Sequence, residues 1–385
     1  MLPHGAPGRR YGAPVEVGSG AWCWFADPRA VVVDGVTHVG WIDCAGAVRV
    51  AAVAGDFVTT ATLHVGLGVD DHNNPALLAR ADGRLQAFYS AHGGPQMLFR
   101  LADERGRWGP EQSLATNTPG RRGYTYPNPV QLAGEGGRIH LFWRGGDFNP
   151  SSSSSPDGVR WTPAATLIRA PGQRPYVKLA TDGRETIALA FTDGHPRETA
   201  ASLYFARYAG GEWLTAGGRR IAGPPFAPAA ADLVWNAAAG GRRAWVHDVA
   251  IGADGHPRIL YAVFVSPTDH RYRHARWTGA VWDDHELTPA GGSFPDEPRE
   301  REYSGGLAFD HAQPSVAYLS RAVDGQWQVE RWATPDGGVT WTHRSLTEGS
   351  RERNVRPVVA RGGGPLWMRG TYAHYTRYRT AIVTG

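Results

Sequence analysis

The chain has 385 residues, 42% of them hydrophobic, enough for one large β domain or two smaller ones with a real core. Its 50 glycines and 28 prolines imply many turns, and no apolar run approaches membrane-spanning length, so no membrane partner is expected. The formal charge of +4 leans toward anionic partners, but the basic residues are scattered, Lys178 is the single lysine, and a nucleic-acid partner is not expected.

Met1 to Glu16 lacks the apolar core of a signal peptide and reads as a loose N-terminal arm, with residues 17–385 forming one domain. The protein is expected to be either secreted in processed form or cytoplasmic. Cys23 and Cys44 each adjoin a strand-like segment and are expected to be free and buried. From there a strand–turn–strand pattern recurs. The copies begin near Ala30 (turn Asp34-Gly35), Ala76 (Asp82-Gly83), Val130 (Glu135-Gly136-Gly137) and Val177 (Asp182-Gly183). They continue near Val249 (Asp254-Gly255), Leu307 (Asp310-His311) and Val358 (Gly362-Gly363-Gly364). Seven units at a period of roughly 50 residues, with no long amphipathic helix, predict an all-β fold, a seven-bladed β-propeller.

Between the copies lie Ser151 to Ser155, expected to be a flexible loop, and two Asp-box turns. Thr334-Pro335-Asp336-Gly337-Gly338-Val339-Thr340-Trp341 matches S/T-x-D-x-G-x-T-W in full, and Ser155 to Trp161 is one residue short. In such turns the Asp carboxylate accepts from turn amides, a structural role.

A hairpin returns the chain to its starting edge, so residues before its first strand and after its second lie at one end. His72 and His92 bracket the second copy. Tyr124 or Tyr126 and Arg144 bracket the third, and Arg174, Tyr176 and His195 the fourth. His247 with His270, Tyr272 and His274, then Tyr303 and Arg321, then Arg356 and Arg369 follow in the remaining copies. Inner strands line the channel, so these side chains are expected to converge on one opening where carboxylates are few. A glycosidase wants a carboxylate pair. Histidine, tyrosine and arginine suit β-elimination beside a uronic acid instead. Arginine or a donating histidine neutralises the C6 carboxylate, a base removes the C5 proton and an acid protonates the leaving O4.

The chain resembles the BNR-4-type repeat proteins. The likeness rests on Trp22 to Ala30, Asp70 to Pro75, Tyr89 to Gly93, Tyr126 to Pro129, Arg174 to Lys178, Thr192 to Pro196, Asn354 to Pro357 and Trp367 to Gly370. That group includes propeller lyases that cleave rhamnose-(1→4)-glucuronate linkages in ulvan, arabinogalactan or gum arabic. The resemblance implies His72 as catalytic base or base/acid partner, Tyr126 as acid or as both, and Arg144 and His92 as carboxylate neutralisers. Tyr124 competes with Tyr126. Arg174, Tyr176 and Lys178 share one side of a strand by period-two alternation and are candidates to bind substrate. Catalysis needs no cofactor in such lyases. A structural zinc or calcium ion in them would direct attention to His195, His247, His270 and His274. The implied partner is an acidic rhamnose- and uronate-containing polysaccharide or oligosaccharide, met by a monomer. The group also contains a hydrolase that releases rhamnose with a histidine on a different face, so an exo-α-L-rhamnosidase stays an alternative, as does a non-catalytic carbohydrate-binding propeller.

Overall fold

Short apolar strands broken by turns with glycine in the left-handed region give a chain that folds back on itself every few residues. The computed structural model describes residues 14–114 and 123–385. In the second repeat, Ala76–Ala79 pairs antiparallel with Leu85–Tyr89 across the Asp82-Gly83 turn, where Gly83 has φ of 80°. The same hairpin opens every sheet. The first strands are Ala30–Val33, Ala76–Ala79, Thr125–Leu132, Tyr176–Thr181, Ala244–Ile251, Leu307–Phe309 and Arg353–Val359. They head seven antiparallel sheets, the blades of the expected propeller, numbered here in that order. One helical turn, Ala237–Gly240, is the only α-helix among the described residues, and no helix there is long and apolar enough to cross a membrane.

Two blades depart from four consecutive strands. The fourth carries six, because Arg220–Ile221 pairs with Glu212–Leu214 as a fifth strand and Asp232–Trp235 also pairs with Leu203–Ala209. The seventh is completed from the other end of the chain: Val15–Ser19 pairs antiparallel with Arg377–Thr384, from Val15 opposite Thr384 to Ser19 opposite Ala381. This corrects the arm expected to end at Glu16, since Val15 and Glu16 are ladder residues and Val17 is buried. The rest of that arm, residues 1–13, lies outside the described residues.

The serine run is likewise strand rather than loop. Pro150–Ser155 is the third strand of the third blade, paired along its length with Arg138–Arg144. Ser155 Oγ then accepts from Gly158 N at 2.8 Å and so anchors the Asp box that follows. In the sixth blade Asp336 accepts from Thr340 N at 2.8 Å and Thr340 Oγ1 at 2.6 Å, the expected structural use. Both cysteines are free; Cys23 is buried, and Cys44, expected to be buried, is exposed. At the end where the first strands begin, the segment after Val15–Ser19 fills the channel with Trp22, Trp24 and Phe25, all nearly fully buried.

Candidate active site

The second blade presents its two histidines as expected, held by a carboxylate. Asp70 caps the short 3-10 turn Asp71–Asn73 by accepting from His72 N at 2.9 Å. Its Oδ1 also lies 2.6 Å from His72 Nδ1, and its Oδ2 lies 3.0 Å from His92 Nδ1. Asn73 Oδ1 accepts from His92 N at 2.8 Å and pins the second histidine to the first turn. The rings stack with centroids 4.0 Å apart and planes 5° from parallel. Each Nδ1 is thus committed to Asp70, which fixes ring orientation and assigns Nε2 as the nitrogen available for chemistry. Tyr375, from the seventh blade, meets both rings edge-on at 4.8 and 5.8 Å.

The third blade adds tyrosine and arginine. Its first strand, Thr125–Leu132, loses register between Thr125 and Asn128, and Tyr126 there has φ of 59°. A bulky residue in the left-handed region costs about 1–3 kcal/mol, held by its surroundings. The bulge turns the ring out of the ladder to lie 5.4 Å from His72. The Arg144 guanidinium stands 4.7 Å from the Tyr126 ring centre and donates to Tyr176 Oη at 3.2 Å. Gly93 N donates to Thr125 Oγ1 at 2.8 Å, tying the two blades together at the site.

Behind the histidines lies a buried charge network. Arg356, in a second bulged first strand with φ of 53°, donates to Asp71 and to Trp22 O at 2.6 Å, and Tyr372 Oη also donates to Asp71. Asp71 Oδ1 is 3.0 Å from His72 Nδ1, so two carboxylates face that nitrogen.

The electrostatics separate the stacked rings. Burial disfavours the His72 imidazolium, but the Asp70 charge and the hydrogen bonds the ring donates to Asp70 and Asp71 outweigh it and hold its pKa well above the ordinary value. Burial, then the His72 charge, push His92 down to about 4. One ring is a cation and its neighbour a neutral base. Burial pushes the Tyr126 hydroxyl well up, against the pull of Arg144, so it carries its proton at neutral pH.

His72, His92, Tyr126, Arg144 and Tyr176 therefore come together. Tyr124 does not: it is buried against Trp143, ring centres 5.3 Å apart. Lys178 is no exposed substrate contact either; it is buried and bonded to Asp27 and Trp24 O, because alternation aimed it into the channel where that segment runs. Arg174 donates through Nε to Glu198 at 3.0 Å and lies over Phe148, at the margin.

The four histidines considered for a metal are not brought together into one group of ligands among the described residues. His270 commits both nitrogens, to Ser304 Oγ and Arg301 O at 2.9 Å each. His247 stacks on Trp24, His195 packs on Trp245 and His274 lies between Phe309 and Trp341. Among the described residues, the trios with ligand atoms within 4.8 Å of one another are Cys23–Asp71–His72 and Asp70–His72–His92, and neither includes these four.

The expectation of few carboxylates on this face is overturned by Asp70, Asp71, Glu300 and Glu302. The first two were visible in the Asp70-Asp71-His72 motif. Glu300, Glu302 and Tyr375 lie outside any inner-hairpin signature, and Arg356 was one candidate among many.

Residues 36–290 match the profile of BNR repeat-containing family members. Among curated proteins, none matches the chain. Among solved structures, an ulvan lyase of polysaccharide lyase family PL25, bound to -[GlcA(1-4)Rha3S]-, is similar with a TM-score of 0.73 at 15% identity, over 97% of this chain and 94% of that one. The polysaccharide lyase Uly1 gives 0.61 at 13% identity, over 99% and 93%. The BP39L lectin from Burkholderia pseudomallei gives 0.56 at 13%, over 96% and 99%. At these identities the structural likenesses establish the propeller. With the repeat profile covering most of five blades, the chain belongs to the BNR repeat-containing family.

Proposed function

We propose that this protein is a polysaccharide lyase that breaks a rhamnose-(1→4)-glucuronate linkage by β-elimination. The observation that carries the reading is the Asp70 clamp, which sets an imidazolium (His72) against a neutral imidazole (His92) beside a protonated tyrosine and an arginine. Those four states together suit elimination. His72 and Arg144 neutralise the C6 carboxylate as charge builds on it. His92 Nε2 takes the C5 proton, the C4–O4 bond breaks as the C4–C5 double bond forms, and Tyr126 Oη gives its proton to O4. Proton return from His92 to the tyrosinate resets the site. This assignment reverses the two histidine roles implied by the family resemblance, because an imidazolium cannot accept the C5 proton. The propeller shared with ulvan lyases, one bound to a glucuronate–rhamnose chain, supports an acidic polysaccharide as substrate.

Incubation with glucuronate–rhamnose polymers is expected to raise the ultraviolet absorbance of an unsaturated uronate. His92→Ala and Tyr126→Phe are each expected to lower that rate by about 10²–10⁴-fold. If both variants keep the wild-type rate, the assignment is wrong. New reducing ends without absorbance would favour the rhamnosidase. For that reading, a cavity of about 370 Å³ at the opposite end of the channel holds His311 Nε2, 3.1 Å from Asp248 Oδ2.

A further inference from the structure

A cavity of about 910 Å³ opens beside the histidine pair rather than over it. Tyr375 belongs to both: it lines this groove and meets the His72 and His92 rings edge-on. The groove lies on the same face of the propeller, between the loops of the fourth, fifth and seventh blades and the Glu297–Glu302 loop that leads into the sixth. Its volume is near the upper end of the roughly 300–1,000 Å³ range of small-molecule sites, which gives room for several sugar units.

Charge in the groove is layered. Arg197 Nη1 is 3.3 Å from Glu300 Oε1, and Arg243 Nη1 is 3.5 Å from Glu302 Oε1. The arginine side chains are 39% and 47% exposed, whereas those of the glutamates are 7% and 10% exposed. The carboxylates form the floor and hold the guanidiniums, and a ligand meets the guanidiniums. Each glutamate also has a second, buried oxygen without a hydrogen-bond partner, so the floor is loosely neutralised. Arg299 and Arg301 are exposed at the same wall and have no carboxylate within ion-pair distance among the described residues.

We infer that this groove binds the anionic groups of sugar units beyond the bond that is cut, reading their oxoanions, uronate carboxylate or sulfate ester, with Arg197, Arg243 and the exposed Arg299 and Arg301. Guanidinium suits such groups because its fork donates two parallel hydrogen bonds to one oxoanion. The inference rests on the proposed lyase reading for the identity of the polymer, while the binding it describes is measurable without turnover.

The test uses glucuronate–rhamnose oligosaccharides of two to eight units, sulfated and desulfated, against the full-length protein. Binding is measured by calorimetry on Tyr126→Phe, and KM on the wild type. Affinity is expected to rise with chain length. Arg197→Ala combined with Arg243→Ala is expected to remove about tenfold of that gain, and added salt to diminish it. Because loss of those arginines strips the buried glutamates of their partners, Arg299→Glu with Arg301→Glu, on the exposed wall, serves as a second variant and is expected to act in the same direction. A gain that persists after desulfation identifies the carboxylate as the group read, and one lost with it identifies the sulfate. The inference is overturned if length dependence is the same in both variants as in their parent. Absence of elimination with undiminished length-dependent binding would instead sink the lyase reading and keep the groove.

Discussion

Asp70 lies two residues before His72, and its two oxygens divide between two imidazoles that would otherwise be alike. Replacing its charge while keeping its shape tests this directly. The His72 pKa is raised against burial by the Asp70 charge, so the imidazolium needed in the proposed reaction is present below the raised value and lost as pH climbs through it. Asp70→Asn is expected to move the alkaline limb of the pH–rate profile toward lower pH and to lower kcat about ten- to a hundredfold. In the wild type the acid limb is expected near pH 4, where His92 gains a proton. An unmoved alkaline limb in Asp70→Asn would remove Asp70 from the positioning role. The meeting of His72, His92, Tyr126 and Arg144 was legible in the sequence because hairpin geometry alone puts the flanks of one hairpin side by side. Which histidine carries the proton was not legible. That depends on the burial of both rings and on the charges of Asp70 and Asp71 together, and the partner of Asp71, Arg356, lies 285 residues away.

Three first strands break register where they reach the channel, at Tyr126 in the third blade, His247 in the fifth and Arg356 in the seventh. A regular strand sends alternate side chains to its two faces, and a bulge re-aims one of them. Turn glycines announced the hairpins, so the number and order of blades could be read from the sequence. Bulges leave no such mark: Tyr126-Pro127 and Arg356-Pro357 read as residues before proline, which ordinarily favours extended backbone, yet both adopt positive φ. The Pro150–Ser155 strand was equally hidden, since serine carries no apolar alternation and only its pairing with Arg138–Arg144 and Ala165–Thr166 defines it. Val15–Ser19 was hidden because its partner strand is more than 350 residues away in sequence. Deleting residues 1–19 removes that strand, its ladder bonds and the buried Val17, a loss of about 3–5 kcal/mol. Thermal melting is expected to fall by several degrees and the uncovered edge of Arg377–Thr384 to promote association. An unchanged melting temperature would show that the seventh blade closes without it.

Across the whole propeller the interior holds histidines in the neutral form. Burial pushes His92 and His270 down to about 4, His274 to about 3 and His195 to about 2, and it also lowers His247 and His38. Their ordinary value is 6.5, so between there and about pH 4 the unfolded chain binds protons that the folded chain refuses. Stability then rises with pH in that window and falls as acid is added. His72 and His311 have the opposite sign, because carboxylates raise their folded values. Their contribution is fully present below 6.5 and fades as pH rises through those values. Six lowered sites against two raised ones set the balance on the acid side. The melting temperature is expected to drop steeply between about pH 7 and about pH 5, with uptake of about four protons on unfolding near the middle of that range. Calorimetric melts in buffers of different ionisation enthalpy measure that uptake. A flat melting temperature with no proton uptake would mean that water reaches these histidines in the folded state and that their rings are charged together with the unfolded chain's.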